Sequence, residues 1–413
     1  MRVPGDKSLS HRAVLFAAMA EGTSVLTGVL DSADVRATIA AVSALGARVE
    51  GDIGAVLRVT GWGADGPSTP AGRIDCGNSG TTARLLMGVL AGWPVQVTLT
   101  GDDSLSQRPM ARVTEPLARM GATFETAEGG TLPVTMRGGA LIGIDYESPV
   151  ASAQIKSAVL LAGLRARGRT IVTEPAPSRD HTERLLPEFG IEVGREPELD
   201  LCWVEGPAVP LACDYAVPAD PSSAAFPLGA ALIVPGSEVV CTGVLLNPTR
   251  IGFLLVLARM GADVLAEITQ RDSAEFVGDI TARFGREMEA TLIEPDEVPS
   301  LIDEVPLLAV VATQAHGTTR FEGVGELRVK ESDRLQAVAD ALTEMGAIVR
   351  SGADWLEVDG PCALRGAALD SLGDHRLAMA YAVAGRACDG EMSIERFEAV
   401  DVSWPGFGEA LAL

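Results

Sequence analysis

Nine residues near the start, Pro4-Gly5-Asp6-Lys7-Ser8-Leu9-Ser10-His11-Arg12, put an ammonium, two hydroxyls and a guanidinium at the mouth of an apolar helix. Pro-Gly-Asp is turn chemistry, Asp6 or Ser8 can cap, and the first-turn N–H groups stay open with the positive end of the helix dipole behind them. Lys7 adds a point charge, Ser8 a hydroxyl, and Arg12, one turn beyond Ser8, a planar fork shaped for carboxylate or phosphate. The chemistry these residues suit is the capture of a small polyanion. Alone, such a start is more often a solvated cap than a site, but this chain repeats the device.

Five further helix starts carry the same kind of polar head. They are Gly77-Asn78-Ser79-Gly80-Thr81-Thr82-Ala83-Arg84, Ser152-Ala153-Gln154-Ile155-Lys156-Ser157, Asp220-Pro221-Ser222-Ser223, Leu301-Ile302-Asp303-Glu304 and Gly373-Asp374-His375-Arg376. Three charged loops add to them: Gly101 to Met110 with Arg108, Glu174 to His181 with Ser178, and Glu326 to Arg334. The last places Lys330 and Arg334 at i,i+4 with Glu331 beside them, a pattern that a surface ion-pair network would also produce.

The elements that must position these groups recur about every 70 to 80 residues, a spacing that signals internal duplication. Each unit reads as polar loop, Ala/Leu-rich helix, Gly, β-branched strand, second helix, Gly and strand. Glycines 22, 92, 168, 236, 317 and 390 end the first helices, and glycines 46, 121, 190, 261 and 346 the second. All are expected at the C′ position, where a positive φ suits Gly. One unit cannot close a core alone, so three per half is the sensible grouping. The expected halves are 6–217 and 218–413, joined at Val217-Pro218-Ala219-Asp220-Pro221, with residues 1–5 joining the second half and the sixth unit cut short. Quasi-threefold symmetry would gather three helix N-termini at one end of each half, and two such ends facing each other would trap anions.

Of 413 residues, 47% are hydrophobic and 22% charged, enough for a large core, and the net charge of −23 opposes nucleic acid or an anionic membrane as partner. Only three of the 33 basic residues are Lys, at 7, 156 and 330, all in polar loops at helix starts, which suggests that the ammonium is used there. No apolar run suits a transmembrane helix and no h-region suits a signal peptide. Six scattered cysteines without C-x-x-C spacing fit reduced thiols in a cytoplasmic protein and disfavour zinc.

Taken together, PGDKSLSHRA, GNSGTTARLL, SLSQRPM, SAQIKSAVLLAGL, SRDHTERL, LIDEVPLLAV, LRVKESDRL and GDHRLAMA, in this order, resemble the 5-enolpyruvylshikimate-3-phosphate (EPSP) synthase family of enolpyruvyl transferases. The resemblance spans nearly the whole chain. It implies an α/β fold, a two-domain inside-out α/β barrel of six βαβαββ repeats, three per domain. It also implies transfer of the enolpyruvyl group of phosphoenolpyruvate to the 5-hydroxyl of shikimate 3-phosphate, with release of phosphate and no metal or organic cofactor. A monomer is expected.

Position by position, the resemblance makes Lys7, Ser8, Arg12, Ser152, Gln154, Ser178, Asp303 and Lys330 ligands of shikimate 3-phosphate. It makes Lys7, Asn78, Gly80, Arg108, Gln154, Arg334, His375 and Arg376 ligands of phosphoenolpyruvate. Asp303 then takes the 5-hydroxyl proton, Glu331 protonates the methylene carbon, and Lys7 is the third catalytic group. Glu331 stands between Lys330 and Arg334, whose charges favour its ionised form, so it is expected to become an acid only once bound anions neutralise those cations or the halves close around it. Gly80 is the residue shared by glyphosate-sensitive members, so sensitivity is expected.

Several positions depart from the family pattern. No Lys precedes Pro405, Glu326 stands where some members have Asn, His181 where some have Tyr, and Ser152-Ala153-Gln154 replaces Ser-Ser-Gln. Together these place the chain with a second branch of the family. Relatives usually carry several more residues ahead of the Pro-Gly-Asp-Lys motif, forming a strand of the other half, whereas only Met1 to Val3 precede it here. A truncated start is expected, bearing on the stability of the second half and not on the chemistry. Rival readings are a UDP-N-acetylglucosamine enolpyruvyl transferase, which relies on a loop Cys not found between Cys76 and Cys202, an RNA-end cyclase, opposed by the charge, and an inactive anion-binding homologue. His316 reads as a helix C-cap, while His11 and His375 adjoin the motif arginines and stay open as orienting or site groups.

Overall fold

The computed structural model describes residues 1–271 and 274–411. They form two compact units, one of Gly5–Val217 and one of Met1–Pro4 with Pro218–Leu413.

The first unit is built on three helices, α1 (Lys7–Met19), α2 (Gly80–Ala91) and α3 (Ala153–Gly163). Every residue of α1 from Leu9 to Met19 is buried, and α2 and α3 are nearly as enclosed. Helices apolar on all sides belong inside a shell, and three sheets supply it. Strand Thr23–Thr27 pairs antiparallel with Val56–Thr60 and that with Arg48–Gly51. Gln96–Thr100 does the same with Thr131–Arg137 and Thr123–Ala127, and Ala166–Thr173 with Leu201–Gly206 and Val193–Glu196. Each sheet takes its parallel edge from the end of the preceding repeat. Ile74 lies opposite Leu99, Tyr146 opposite Val172, and Tyr215, from the end of the third repeat, opposite Leu26 of the first. That last pairing closes the ring. Alternation does the rest: Val25 faces outward while Ser24 and Leu26 are buried, and Val97 and Leu99 follow the same rule.

Side chains show that the three N-termini meet. Arg12 of α1 reaches Ser157 of α3, Gln154 of α3 reaches Thr81 of α2, and His11 of α1 is linked through Thr38 to Thr82 of α2.

In the second unit α4 (Pro221–Ile233), α5 (Val305–Ala312) and α6 (His375–Gly385) are the central helices, again buried almost completely. Strand Glu238–Leu245 heads a three-stranded antiparallel sheet, and Gly317–Phe321 heads a four-stranded one with Leu292–Ile293 as its parallel edge. The Thr242 N–H donates to the Met1 carbonyl at 2.9 Å, so the first residues lie along that three-stranded sheet. The sixth repeat keeps its first helix but reduces its sheet to two short parallel pairs and ends in the helical turn Phe407–Ala410. Among the described residues no helix is long and apolar enough to cross a membrane.

The glycines expected at helix ends all have positive φ except Gly92, but not all of them end a helix. Gly46, Gly121, Gly190, Gly261 and Gly346 do, whereas Gly168 lies within strand Ala166–Thr173, Gly317 opens strand Gly317–Phe321 and Gly390 follows a short strand, because the first helices stop several residues earlier. Gly92 has φ −89°, and a Cβ there would lie 2.2 Å from the Cβ of Arg165, so Gly92 is required by close approach and not by backbone conformation.

Candidate active site

In the first unit the polar heads of α1, α2 and α3 are locked by a chain of charge-assisted hydrogen bonds. Asp6 caps α1 by accepting the Leu9 N–H at 2.7 Å, and Lys7 forms an ion pair with Asp34. Arg12 is buried, with Nε donating to the Thr182 hydroxyl at 2.8 Å, Nη2 to the Ser157 hydroxyl at 2.8 Å and Nη1 to the Ser8 carbonyl at 3.1 Å. Gln154 is gripped through both amide atoms: Arg84 Nη1 donates to its Oε1 at 2.6 Å and its Nε2 donates to the Thr81 hydroxyl at 3.1 Å. Arg108 donates to Asn78 Oδ1 at 3.0 Å and to the Ser104 hydroxyl at 3.2 Å, while Asp102 fixes the other side of the Asn78 amide at 2.8 Å.

Among the described residues, Arg84 and Arg108 donate only to neutral oxygens. Burial, with Arg108 and Arg112 repelling it, pushes the Arg84 pKa down to about 10. Guanidinium groups crowded in this way form a site for an anion, which would relieve the repulsion. Gly80 belongs to the cluster, because a Cβ there would sit 2.9 Å from Arg84 Nη1 and 3.7 Å from Arg108 Nη1.

Two sequence expectations change here. Lys156 does not offer its ammonium to a ligand: it is buried against Glu174 at 2.7 Å and Glu183 at 2.9 Å. His11, left open by the sequence, is a buried structural group whose Nδ1 lies 2.7 Å from the Thr38 hydroxyl, and burial pushes its pKa down to about 3. Arg84 was missed as a site residue, although it follows Gly80 by one turn in the same motif, just as Arg12 follows Ser8.

In the second unit one buried guanidinium organises everything. Arg334 Nε donates to Asp374 Oδ2 at 2.7 Å, Nη2 to Asp374 Oδ1 at 3.2 Å and to Glu331 Oε2 at 2.6 Å, and Nη1 to Asp303 Oδ1 at 3.2 Å. Burial alone would lower its pKa, but Glu331, Asp374 and Asp303 outweigh that and the net shift is upward. Four of the five N–H donors of a guanidinium are therefore engaged with carboxylates before any ligand arrives. Asp374 also caps α6 through the Arg376 N–H at 2.9 Å and accepts from the Ser332 hydroxyl at 3.0 Å. His375 and Arg376 open that helix, both buried, and Nη1 of Arg376 has no hydrogen-bond partner among the described residues. Lys330 turns to Glu326 at 2.8 Å.

All six cysteines are free thiols. Cys76, beside the Gly77-Asn78 turn, is buried and pushed up to about 12, which rules it out as a ready nucleophile.

A cluster of guanidinium groups in the first unit and an arginine held by three carboxylates in the second stand on a six-repeat α/β scaffold. The crystal structure of the enolpyruvyl transferase NikO from Streptomyces tendae superposes with a TM-score of 0.79, covering 100% of this chain and 93% of that one at 18% identity, a likeness of fold alone. The family described as EPSP synthase (3-phosphoshikimate 1-carboxyvinyltransferase) matches residues 1–411. The 3-phosphoshikimate 1-carboxyvinyltransferase of Halorhodospira halophila is 49% identical over 411 residues, 99% of this chain and 92% of that protein. That of Bacillus licheniformis is 47% identical over 99% of this chain and 95% of its own. The structure of EPSP synthase from Acinetobacter baumannii gives a TM-score of 0.91 at 42% identity, covering 100% of this chain and 94% of that one. The chain belongs to the EPSP synthase family.

Proposed function

We propose that the protein is the enolpyruvyl transferase of the shikimate pathway, moving the enolpyruvyl group of phosphoenolpyruvate to the 5-hydroxyl of shikimate 3-phosphate and releasing phosphate. The observation that carries this reading is the position of Asp303 and Glu331 on two nitrogens of the single Arg334 guanidinium, which holds a candidate base and a candidate acid side by side. Asp303 removes the 5-hydroxyl proton, the oxygen attacks C2 of phosphoenolpyruvate, and Glu331 delivers a proton to C3. A tetrahedral intermediate forms, which then loses phosphate and a C3 proton to restore the double bond. Lys7, Asn78, Gly80, Arg108, Gln154, Arg334, His375 and Arg376 receive phosphoenolpyruvate. Lys7, Ser8, Arg12, Ser152, Gln154, Ser178, Asp303 and Lys330 receive shikimate 3-phosphate. Fixed guanidinium forks and helix N-termini offset the repulsion between two multiply charged substrates and stabilise the charge that develops between them.

Phosphate release assayed with both substrates, with each alone, and with a UDP-amino sugar in place of shikimate 3-phosphate tests the reading. Release with the shikimate pair only is the expected result. Release with the UDP-amino sugar, or with no pair at all from folded protein, would overturn it.

A further inference from the structure

Glu174 follows strand Ala166–Thr173, and its side chain is 2% exposed. Its Oε1 accepts the backbone N–H of Ser152 at 2.7 Å. Its Oε2 accepts the Ser178 hydroxyl at 2.7 Å and the Lys156 ammonium at 2.7 Å. Lys156 in turn bonds Glu183 at 2.9 Å and reaches the Ser178 carbonyl at 3.5 Å. Burial by itself lowers the Lys156 pKa, but Glu183 and Glu174 outweigh it and keep the ammonium charged.

A buried carboxylate beside two serines that are to receive a phosphate is electrostatically unfavourable unless it does something a neutral side chain could not. What it does is tie the start of α3 to the loop after the strand through one carboxyl group. A second observation concerns Ser152 itself. Asp6, Ser79, Asp220 and Asp374 cap their central helices through their side chains, whereas the Ser152 side chain, in the same N-cap position, makes no capping bond, as Glu304 makes none at the fifth central helix. The Ser152 backbone N–H donates to Glu174, and its hydroxyl is not spent on the helix end.

We infer that Glu174 is a positioning residue for the phosphate end of shikimate 3-phosphate, holding Ser152 and Ser178 in register before the ligand arrives. This rests on the reading of those two serines as phosphate ligands. The Ser178 hydroxyl has one proton, and in the free protein that proton goes to Glu174. A phosphate dianion offers only acceptors, so Ser178 bonds it by turning the proton away from Oε2 to a phosphate oxygen. Oε2 keeps the Lys156 ammonium when this happens, which makes the exchange affordable.

The test is calorimetric binding of shikimate 3-phosphate, with steady-state kcat and KM for both substrates, in Ser152→Ala, Ser178→Ala, Glu174→Gln and the Glu174→Gln/Ser178→Ala pair. Glu174→Gln is expected to weaken shikimate 3-phosphate about tenfold, with kcat and the KM for phosphoenolpyruvate within about threefold of wild type. Adding Ser178→Ala should then cost much less than it does in the wild-type background, because the two act through one contact. If Glu174→Gln does not fold, Glu174→Gln/Lys156→Met/Glu183→Gln removes all three buried charges together and is expected to show the same loss. Binding within about twofold of wild type in the folded Glu174 variants, or full additivity with Ser178→Ala, overturns the inference. Should both serine variants bind shikimate 3-phosphate like wild type, the assignment of the serines has failed, and the role of Glu174 falls with it.

Discussion

Arg334 presents a chemical difficulty that the reaction must resolve. An acid that protonates carbon has to carry a proton, yet Glu331 receives a 2.6 Å hydrogen bond from a guanidinium that favours the carboxylate. On the proposed reading the proton is taken up when anionic substrates compete for Arg334. Glu331→Gln keeps the shape of the side chain and cannot donate a proton to carbon, so its single-turnover rate is expected to fall by about 10² to 10⁴. The alkaline limb that the acid gives the wild-type pH profile should vanish with it. A variant turning over at a near-normal rate would remove Glu331 from the mechanism. At this scale the sequence was informative about residue types and poor about partners. Lys330-Glu331 and Arg334 were visible as one charged turn, but Asp303 and Asp374 come from segments dozens of residues away, and no local pattern ties them to Arg334. Lys156 misled for the same reason, since Glu174 and Glu183 lie outside its own helix start.

The helices were legible because a fully apolar run with a polar head and a terminal glycine has few alternatives. What the sequence hid was how closely they pack. Gly88 of α2 lies against α3 so tightly that a Cβ would stand 2.3 Å from the Ala158 carbonyl oxygen and 2.7 Å from its Cα, both backbone atoms that cannot swing aside. Glycines 61, 138 and 206 repeat one another in the three repeats of the first unit, each against the C-terminal carbonyls of its own central helix, at 2.2 to 2.4 Å from an added Cβ. Periodicity marks a helix but does not say which face touches backbone, so nothing in the pattern singles these glycines out. Gly88→Ala is expected to destabilise by about 1 to 3 kcal/mol through overpacking, which is about 2 to 4 °C of melting temperature per kcal/mol. Gly72→Ala, where an added Cβ meets nothing within 4 Å, is the control and should melt like wild type. Equal melting temperatures for the two variants would show that α2 and α3 can yield.

Across the whole molecule the two units are built alike, but each holds a buried titratable group, and these two groups answer acid in opposite senses. In the first, buried His11 faces Asp34, Lys7 and Arg12, and burial drives its pKa down from 6.5 to about 3. Between those values the unfolded chain binds the proton and the folded one does not, so stability is full above 6.5 and is lost as pH falls, by up to about 1.4 kcal/mol per pH unit. In the second unit Glu304, beside Ser222, Arg376, Asp303 and Arg250, is fully buried, and burial raises its pKa above 4.5 in spite of the two arginines. Above 4.5 the unfolded chain gives up the proton that the folded one retains, so this contribution is full below 4.5 and is lost as pH rises. Lowering the pH from 7 to 5.5 should therefore weaken the Gly5–Val217 unit and, through Glu304, strengthen the other. Native-state hydrogen exchange read at the buried amides of α1 to α3 and of α4 to α6 separates the two slopes. His11→Gln should flatten the first and Glu304→Gln the second. Parallel slopes in the wild type, unchanged by either substitution, would mean that neither buried group sets the acid response of its unit.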